Sequence, residues 1–447
     1  MPKRKRPKRP AAPPGGRASD LLQAGIELQQ SGKLSRAERI YKKILAADAT
    51  DALAHHLLGR LYWQTQRQQA AVDSLQRALS LRGDYPEALL DLGNMLAELS
   101  QLEQAEDCLR RLVRLSPQNA MAHNNLGVVL KDQGRHAEAI RVYRQAIALE
   151  PGNSDTLCNL AHVHSLQGEL ETAAEMYRAV LAGDPTNVDA LGCLASILRR
   201  LDHDAEARQV LAAWRKVDPD NPIPEHLLSV YEPTSIPERA SDQYVRQVFD
   251  RFAASFETDL AQLEYRGPQL IEQGLKREFS AAQPLDCVLD AGCGTGLCGP
   301  VLRDYAQRLV GIDLSPKMLE VAAERQLYDE LVESELCDYL ARHEDNFDLI
   351  ACADTFGYFG ALSPLFAAAK RALRPAGRLL VTVELQDAEE QPGYQLRSSG
   401  RYAHHRDYVA RCCEMQQLKI HDQTEDTMRQ EAGRAVRVLV LTASAAA

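Results

Sequence analysis

Small residues recur along the first half of the chain with a spacing of 34. One series runs Gly25, Gly59, Gly93, Gly127, Ala161 and Ala195, and a second runs Ala37, Ala71, Ala105, Ala139, Ala173 and Ala207. A larger apolar residue follows four positions after each member of the second series: Tyr41, Leu75, Leu109, Tyr143, Tyr177 and Leu211. This pattern predicts a helix hairpin per unit, with small residues letting the two helices approach closely. The larger residues are expected to fill the space between neighbouring hairpins. Gly32, Gly134 and Gly168 fall where a first helix must stop. Pro117, Pro151, Pro185 and Pro219 break the chain before the next unit. Six such units cover residues 18–221.

The periodicity then ends. Pro219, Pro222, Pro224, Pro233 and Pro237 mark a boundary, with residues 222–240 expected as a Pro-rich linker. From Ser241 to Leu263 the apolar residues Val245, Val248, Phe249, Phe252, Phe256 and Leu260 return at helical spacing. Short apolar runs alternate with helical patterns from there to the end. Cys287–Asp290 predicts a strand running into the glycine-rich turn Gly292-Cys293-Gly294-Thr295-Gly296, and Arg308–Ile312 predicts a second strand ending in Asp313. Strand ends are also expected at Leu336-Cys337-Asp338, at Asp354 and at Glu384. Leu418–His421 and Val436–Leu441 suggest a terminal hairpin. Such alternation implies a parallel sheet with right-handed crossovers, so residues 241–447 read as an α/β domain.

The glycine turn carries the chemistry. Glycine permits the sharp bend and lets a ligand approach the backbone, and a carboxylate at the second strand end is placed to accept both hydroxyls of a ribose. Gly294-Thr295-Gly296-Leu297-Cys298-Gly299 also satisfies the spacing of dinucleotide-binding loops. The register argues otherwise. Asp290 stands just before the first glycine, where a pyrophosphate would meet its negative charge and a sulfonium or ammonium group would be attracted.

Two families are resembled. The 34-residue units are similar to tetratricopeptide repeats. Asp290-x-Gly292-x-Gly294-x-Gly296 resembles the first motif of class I S-adenosylmethionine-dependent methyltransferases, and Asp313-Leu314-Ser315-Pro316 resembles their next segment. The whole chain resembles bacterial proteins that join such repeats to a methyltransferase domain. The resemblance implies an all-α solenoid followed by a Rossmann-like α/β domain, with S-adenosylmethionine as cofactor. It implies that Asp290, Gly292, Gly294, Gly296 and Asp313 hold that cofactor, that Asp338 receives its adenine amino group, and that Phe249–Glu257 forms a lid.

One candidate catalytic residue, Asp354, lies beside the methyl position that the resemblance implies, and two more, His404 and His405, lie between the fifth and sixth expected strands. Asp354 is read either as a substrate-handling group or as a turn residue. His404 and His405 are read either as a base near neutral pH or as inert loop histidines. Arg401 and Arg429 could hold an anionic substrate. In the repeats, Asn94, Asn125 and Asn159 lie on first helices. Their amides either hold a peptide backbone in a concave groove or satisfy the helix surface.

Composition trims the remaining options. The net charge of −10 conceals a basic start, because Lys3, Arg4, Lys5, Arg6, Lys8, Arg9 and Arg17 precede any acid. Those seven belong to 52 basic residues, so the remainder sets 45 against 62 acids, a formal −17. An acidic body argues against nucleic-acid binding except through the tail, residues 1–17, which is expected to be disordered. Its stretch from Pro2 to Arg9 resembles a nuclear localisation signal and could equally touch RNA or an acidic partner, but is read as a solvated charge run. The ten cysteines include no CxxC pair, so no metal is expected, and reduced thiols suit a cytoplasmic protein. No run approaches the ~20 apolar residues that span a bilayer. The expected function is methyl transfer to an unidentified acceptor, with the repeats binding a protein partner or substrate. An interaction scaffold with a catalytically silent cofactor domain, and a nicotinamide oxidoreductase, remain as alternatives.

Overall fold

A computed structural model describes residues 14–232, 236–279, 283–386, 393–431 and 433–445. The basic tail falls outside them as far as residue 13. Contacts divide the chain into two compact units that meet in sequence at Pro185 and Thr186.

The first unit is five helix hairpins: α1 (Pro14–Gln30) with α2 (Leu34–Ala47), α3 (Ala52–Gln64) with α4 (Gln68–Leu81), and α5 (Pro86–Glu98) with α6 (Leu102–Leu115). Two more follow, α7 (Ala120–Asp132) with α8 (His136–Leu149), and α9 (Ser154–Leu166) with α10 (Leu170–Gly183). Where the small residue is glycine, the larger residue packs on it within the same hairpin, and Leu75, Leu109 and Tyr143 also belong to one core shared by successive hairpins. A Cβ on Gly59 would stand 2.9 Å from Leu75, one on Gly93 2.8 Å from Leu109, and one on Gly127 2.5 Å from Tyr143. Asp51, Asn119 and Asn153 start α3, α7 and α9 by accepting the backbone N–H three residues on. The left-handed stop after each first helix also persists where glycine does not. Gln66 and Ser100 hold φ of +58° at the repeat position of Gly32, Gly134 and Gly168.

The second unit begins with the sixth hairpin, α11 (Val188–Arg200) and α12 (Asp204–Val217). By its contacts this hairpin groups with the C-terminal domain. The expected linker is also largely ordered. Pro222 and Pro224 occupy the first turn of α13 (Pro222–Leu228), where a missing N–H is harmless, and Asn221 caps it. A single 3-10 turn, Ser229–Tyr231, follows. Further on, Glu238 O accepts N–H groups of Gly360 and Ala361, and Ala240 N donates to Tyr358 O. The chain continues through α14 (Asp242–Phe252), α15 (Phe256–Gln262) and α16 (Gly267–Glu278).

The sheet contains β1 (Leu285–Ala291), β2 (Ala306–Asp313), β3 (Glu330–Glu333), β4 (Phe347–Cys352) and β5 (Leu373–Glu384), all parallel. Between them run α17 (Gly299–Arg303), α18 (Pro316–Glu324), α19 (Leu336–Ala341) and α20 (Leu362–Ala372). A small hairpin, β6 (Tyr394–Leu396) and β7 (Tyr402–His404), and α21 (Arg406–Met415) precede the last pair, β8 (Leu418–Glu431) and β9 (Arg434–Ala445). The strand order is β3-β2-β1-β4-β5-β9-β8, with β9 antiparallel to both neighbours. Alternation within β1 sends Leu289 into one buried core with Ile350, Phe366 and Val381, and Val288 into another with Leu270, Leu302 and Leu309. The order reverses between β1 and β4, and ligands of open α/β sheets bind at the carboxyl end of such a switch. Among the described residues no helix is long and apolar enough to cross a membrane.

Candidate active site

A crevice of about 410 Å³ opens at that switch point. Its floor is the turn after β1, where Gly292, Gly294 and Gly296 have φ of +73°, +53° and +82°. Gly292 N and Cys293 N both donate to Ile312 O at 2.9 Å, which ties the turn to the end of β2. A Cβ on Gly292 would come within 2.2 Å of Thr355 Oγ1, whereas one on Gly294 would meet only Phe256 at 3.9 Å. The second glycine therefore presents bare backbone to the crevice.

Asp290 and Asp313 line the same crevice. Asp290 is buried, with Tyr328 OH donating to its Oδ2 at 2.7 Å. Desolvation pushes its carboxyl up to about 7, and the tyrosine only partly offsets this. Asp313 accepts Gly294 N on Oδ2 at 2.9 Å and Ser315 N on Oδ1 at 2.8 Å. Burial raises its pKa while these backbone donors pull it back. The roof is apolar, with Val245, Val248, Phe249 and Phe252 from α14 and Phe256 and Leu260 from α15.

Asp338 is not in the crevice. The sequence expectation ended a strand there, but β3 stops at Glu333, and Asp338 is an exposed residue in the first turn of α19. Glu335 stands at the crevice in its place. Its Oε2 accepts Asp338 N at 2.7 Å. Its Oε1 is buried without a hydrogen-bond partner, 3.7 Å from Arg239 Nη1. Thr295 Oγ1 is likewise buried and unpartnered beside the glycine turn. The spacing of Leu336, Tyr339 and Leu340 is helical, and that signal would have moved attention from Asp338 to the residue capping the helix.

Asp354 lies in the crevice at φ +61°, just beyond β4. Its carboxylate is engaged by two arginines. Arg429 Nη1 donates to both oxygens at 2.9 and 3.0 Å, and Arg401 Nη2 donates to Oδ1. The same arginines reach Glu384 at 3.0 and 3.2 Å, and Arg429 Nε reaches Glu431 at 2.6 Å. Burial alone would lower the pKa of each guanidinium, but Asp354 and Glu384 hold both fully charged. Arg401 and Arg429 are thus partners of internal carboxylates, and this pairing across the sheet had no local signature in the sequence.

The two histidines are outside the crevice lining. His404 is fully buried, its Nε2 donating to Phe359 O at 2.8 Å and Gly360 O at 3.2 Å. Burial pushes its pKa down to about 4, so it is neutral and structural. His405 caps α21 by accepting Asp407 N on Nδ1 at 3.2 Å. No group of His, Cys, Asp and Glu among the described residues is arranged to hold a metal.

In the first unit the asparagines bond to one another. Asn159 donates to Asn124 at 3.0 Å, Asn124 to Asn125 at 3.1 Å, and Asn125 to Asn94 at 2.8 Å.

A parallel sheet edged by an antiparallel pair, a glycine turn after β1 and an acid closing β2 define a Rossmann-like methyltransferase domain, and the helical hairpins before it are tetratricopeptide repeats. Comparison with known families agrees on both parts. Residues 289–381 match a methyltransferase domain, residues 41–155 match the repeat domain of cytochrome c-type biogenesis protein H, and 142–175 and 165–229 match tetratricopeptide repeats. The chain is 27% identical over 165 residues to a malonyl-[acyl-carrier protein] O-methyltransferase of Serratia marcescens, covering 35% of this chain and 62% of that protein. It is 35% identical over 97 residues to a ubiquinone biosynthesis O-methyltransferase of Thiobacillus denitrificans, covering 20% of this chain and 40% of that one. The chain thus spans less than two thirds of either relative. Among solved structures, the crystal structure of MamA is similar at 26% identity with a TM-score of 0.34, covering 35% of this chain and 92% of that one.

Proposed function

We propose that the protein transfers a methyl group from S-adenosylmethionine to an acceptor still to be identified, and that its repeats bind a protein partner or substrate. The observation that carries this reading is the convergence of Asp290, Asp313 and Glu335 on one crevice floored by bare glycine backbone. In this reading Asp313 accepts the ribose hydroxyls on its remaining lone pairs, and Glu335 Oε1, which has no hydrogen-bond partner, receives the adenine amino group. Asp290 offers negative charge to the cationic methionine end. When bound, the cofactor supplies an electrophilic methyl with its leaving group built in. The chain's own part is to bind, align and exclude water, which the apolar roof of Phe249, Phe252 and Phe256 favours. Asp354 orients the acceptor side through Arg401 and Arg429, and is no base while both arginines occupy it. The partner-binding role of the repeats, and a cytoplasmic setting, belong to the same proposal.

Cofactor titration tests it. S-Adenosylmethionine should bind the full chain, and Asp313→Ala should weaken binding by more than about tenfold while the protein stays folded. Labelled methyl transfer into cell extract separates an enzyme from a silent scaffold, since binding without labelled product supports the scaffold. Preference for a nicotinamide dinucleotide would refute the assignment.

A further inference from the structure

Arg199 of the sixth hairpin and His226 of the helix that follows it are both bonded to one short turn of the α/β domain. Arg397 N donates to Arg401 O and Gly400 N to Arg397 O, both at 2.8 Å, forming the tight connection between β6 and β7. Two residues from the repeat side hold its backbone. Arg199, on α11, donates through Nε to Ser398 O at 2.6 Å, and His226, on α13, donates through Nε2 to Gly400 O at 2.9 Å. The turn leaves them little freedom. Gly400 has φ +82°, and a Cβ there would stand 2.6 Å from Tyr244 OH and 3.0 Å from Leu227. The next residue is Arg401, whose guanidinium grips Asp354 and Glu384 in the crevice and lies 4.9 Å over the Tyr358 ring.

His226, with neighbours in α11 and the segment before α13, also holds the roof helix. His226 stacks on Tyr244 with ring centroids 3.9 Å apart, and Tyr244 begins α14. Gln243 Nε2 donates to Asp220 O at 3.1 Å, and Arg251, near the other end of α14, lies 3.8 Å from Asp189 on α11. Val245, Val248 and Phe249 on the intervening turns face the crevice.

We propose that Arg199 and His226 are positioning residues for methyl transfer: through the Arg397–Arg401 turn and Tyr244 they fix Arg401 against Asp354 and hold α14 over the crevice. The last repeat is then a working part of the transferase site and not a spacer before it. The proposal rests on the function proposed above for its chemistry, but the mechanical coupling does not.

The test uses the full chain with His226→Ala, His226→Gln, Arg199→Met and Arg199→Lys. Two quantities are read: the dissociation constant for S-adenosylmethionine and amide exchange resolved by segment. His226→Ala and Arg199→Met should speed exchange of α14 and residues 393–404 by about tenfold and raise the dissociation constant at least about threefold. Exchange of α3–α10 should stay unchanged, which controls for folding. His226→Gln keeps a donor for Gly400 O and Arg199→Lys keeps one for Ser398 O, so each should recover most of the loss. The proposal is overturned by unchanged exchange in α14 and the turn. It is equally overturned by loosening spread evenly over β1–β5, or by conservative variants as damaging as the truncations. A wild-type chain that fails to bind the cofactor would refute the proposed function, while the exchange comparison would still decide the clamp.

Discussion

Gly59, Gly93 and Gly127 in the repeats and Gly292, Gly294 and Gly296 in the turn after β1 are the same residue used for opposite reasons. The repeat glycines sit in ordinary helical backbone and matter because a neighbouring Leu or Tyr occupies the space of a Cβ. The turn glycines matter because their backbone is left-handed, and for Gly294 because nothing fills the space above it. The first kind is replaceable by another small residue, as Ala161 and Ala195 show at the same repeat position. The second kind is fixed by the path of the chain. Redundant packing thus characterises the array, and singular geometry the site.

Perturbing each region should sharpen that contrast. The largest effect is expected from Arg429→Met, which leaves Asp354 and Glu384 with a single arginine in a buried setting. Breaking such a pair costs about 3–5 kcal/mol, readable as a lower urea midpoint of the second unit with the first unit's transition unmoved. A shift under roughly 1 kcal/mol would mean that the carboxylates find other partners. Next comes Gly292→Ala, where a left-handed φ and a Cβ at 2.2 Å from Thr355 combine. About 2–4 kcal/mol and loss of cofactor binding are expected, and tight binding retained would show that the turn can be rebuilt.

A smaller effect concerns pH. Asp290 titrates near 7 when folded, above its ordinary value of 3.8. The folded state therefore holds the proton in the window between those values, and stability from this group declines as pH rises through it. A cationic ligand favours the ionised form, so its affinity should increase severalfold as pH climbs past about 7, with proton release seen by calorimetry in buffers of different ionisation enthalpy. Asp290→Asn should flatten the profile. A flat wild-type profile would argue that the ligand's charge lies elsewhere. The smallest change is Gly134→Ala, where φ is +74° and no atom lies within 4 Å of the new Cβ. Only the backbone cost of about 1 kcal/mol is expected, with cofactor affinity untouched.

What the sequence revealed follows the same division. Repeats were legible because each unit is a control for the others, and even so the left-handed Gln66 and Ser100 were invisible, since neither residue announces that conformation. The glycine turn and Asp313 were legible because few residue types satisfy that bend and that strand end. Asp338 was misassigned because an apolar run before an acid reads as a strand end, although Leu336, Tyr339 and Leu340 wind into α19. His404 attracted attention as a loop base, yet it packs at zero exposure against carbonyls some 45 residues away in sequence, a burial that loop composition does not encode. The arginine cluster joins the ends of β4 and β5 to β8, and such pairing emerges only once the sheet order is known.

The welding of α11 and α13 to the Arg397–Arg401 turn makes the chain extensible from one side alone. A hairpin gained or lost among α3–α10 is expected to leave Arg199 and His226 where they are, whereas removing the final copy would take Arg199 from the turn and leave His226, on α13, to hold it alone. If the proposed clamp holds, growth and shrinkage of the array should be tolerated upstream and penalised at the last joint.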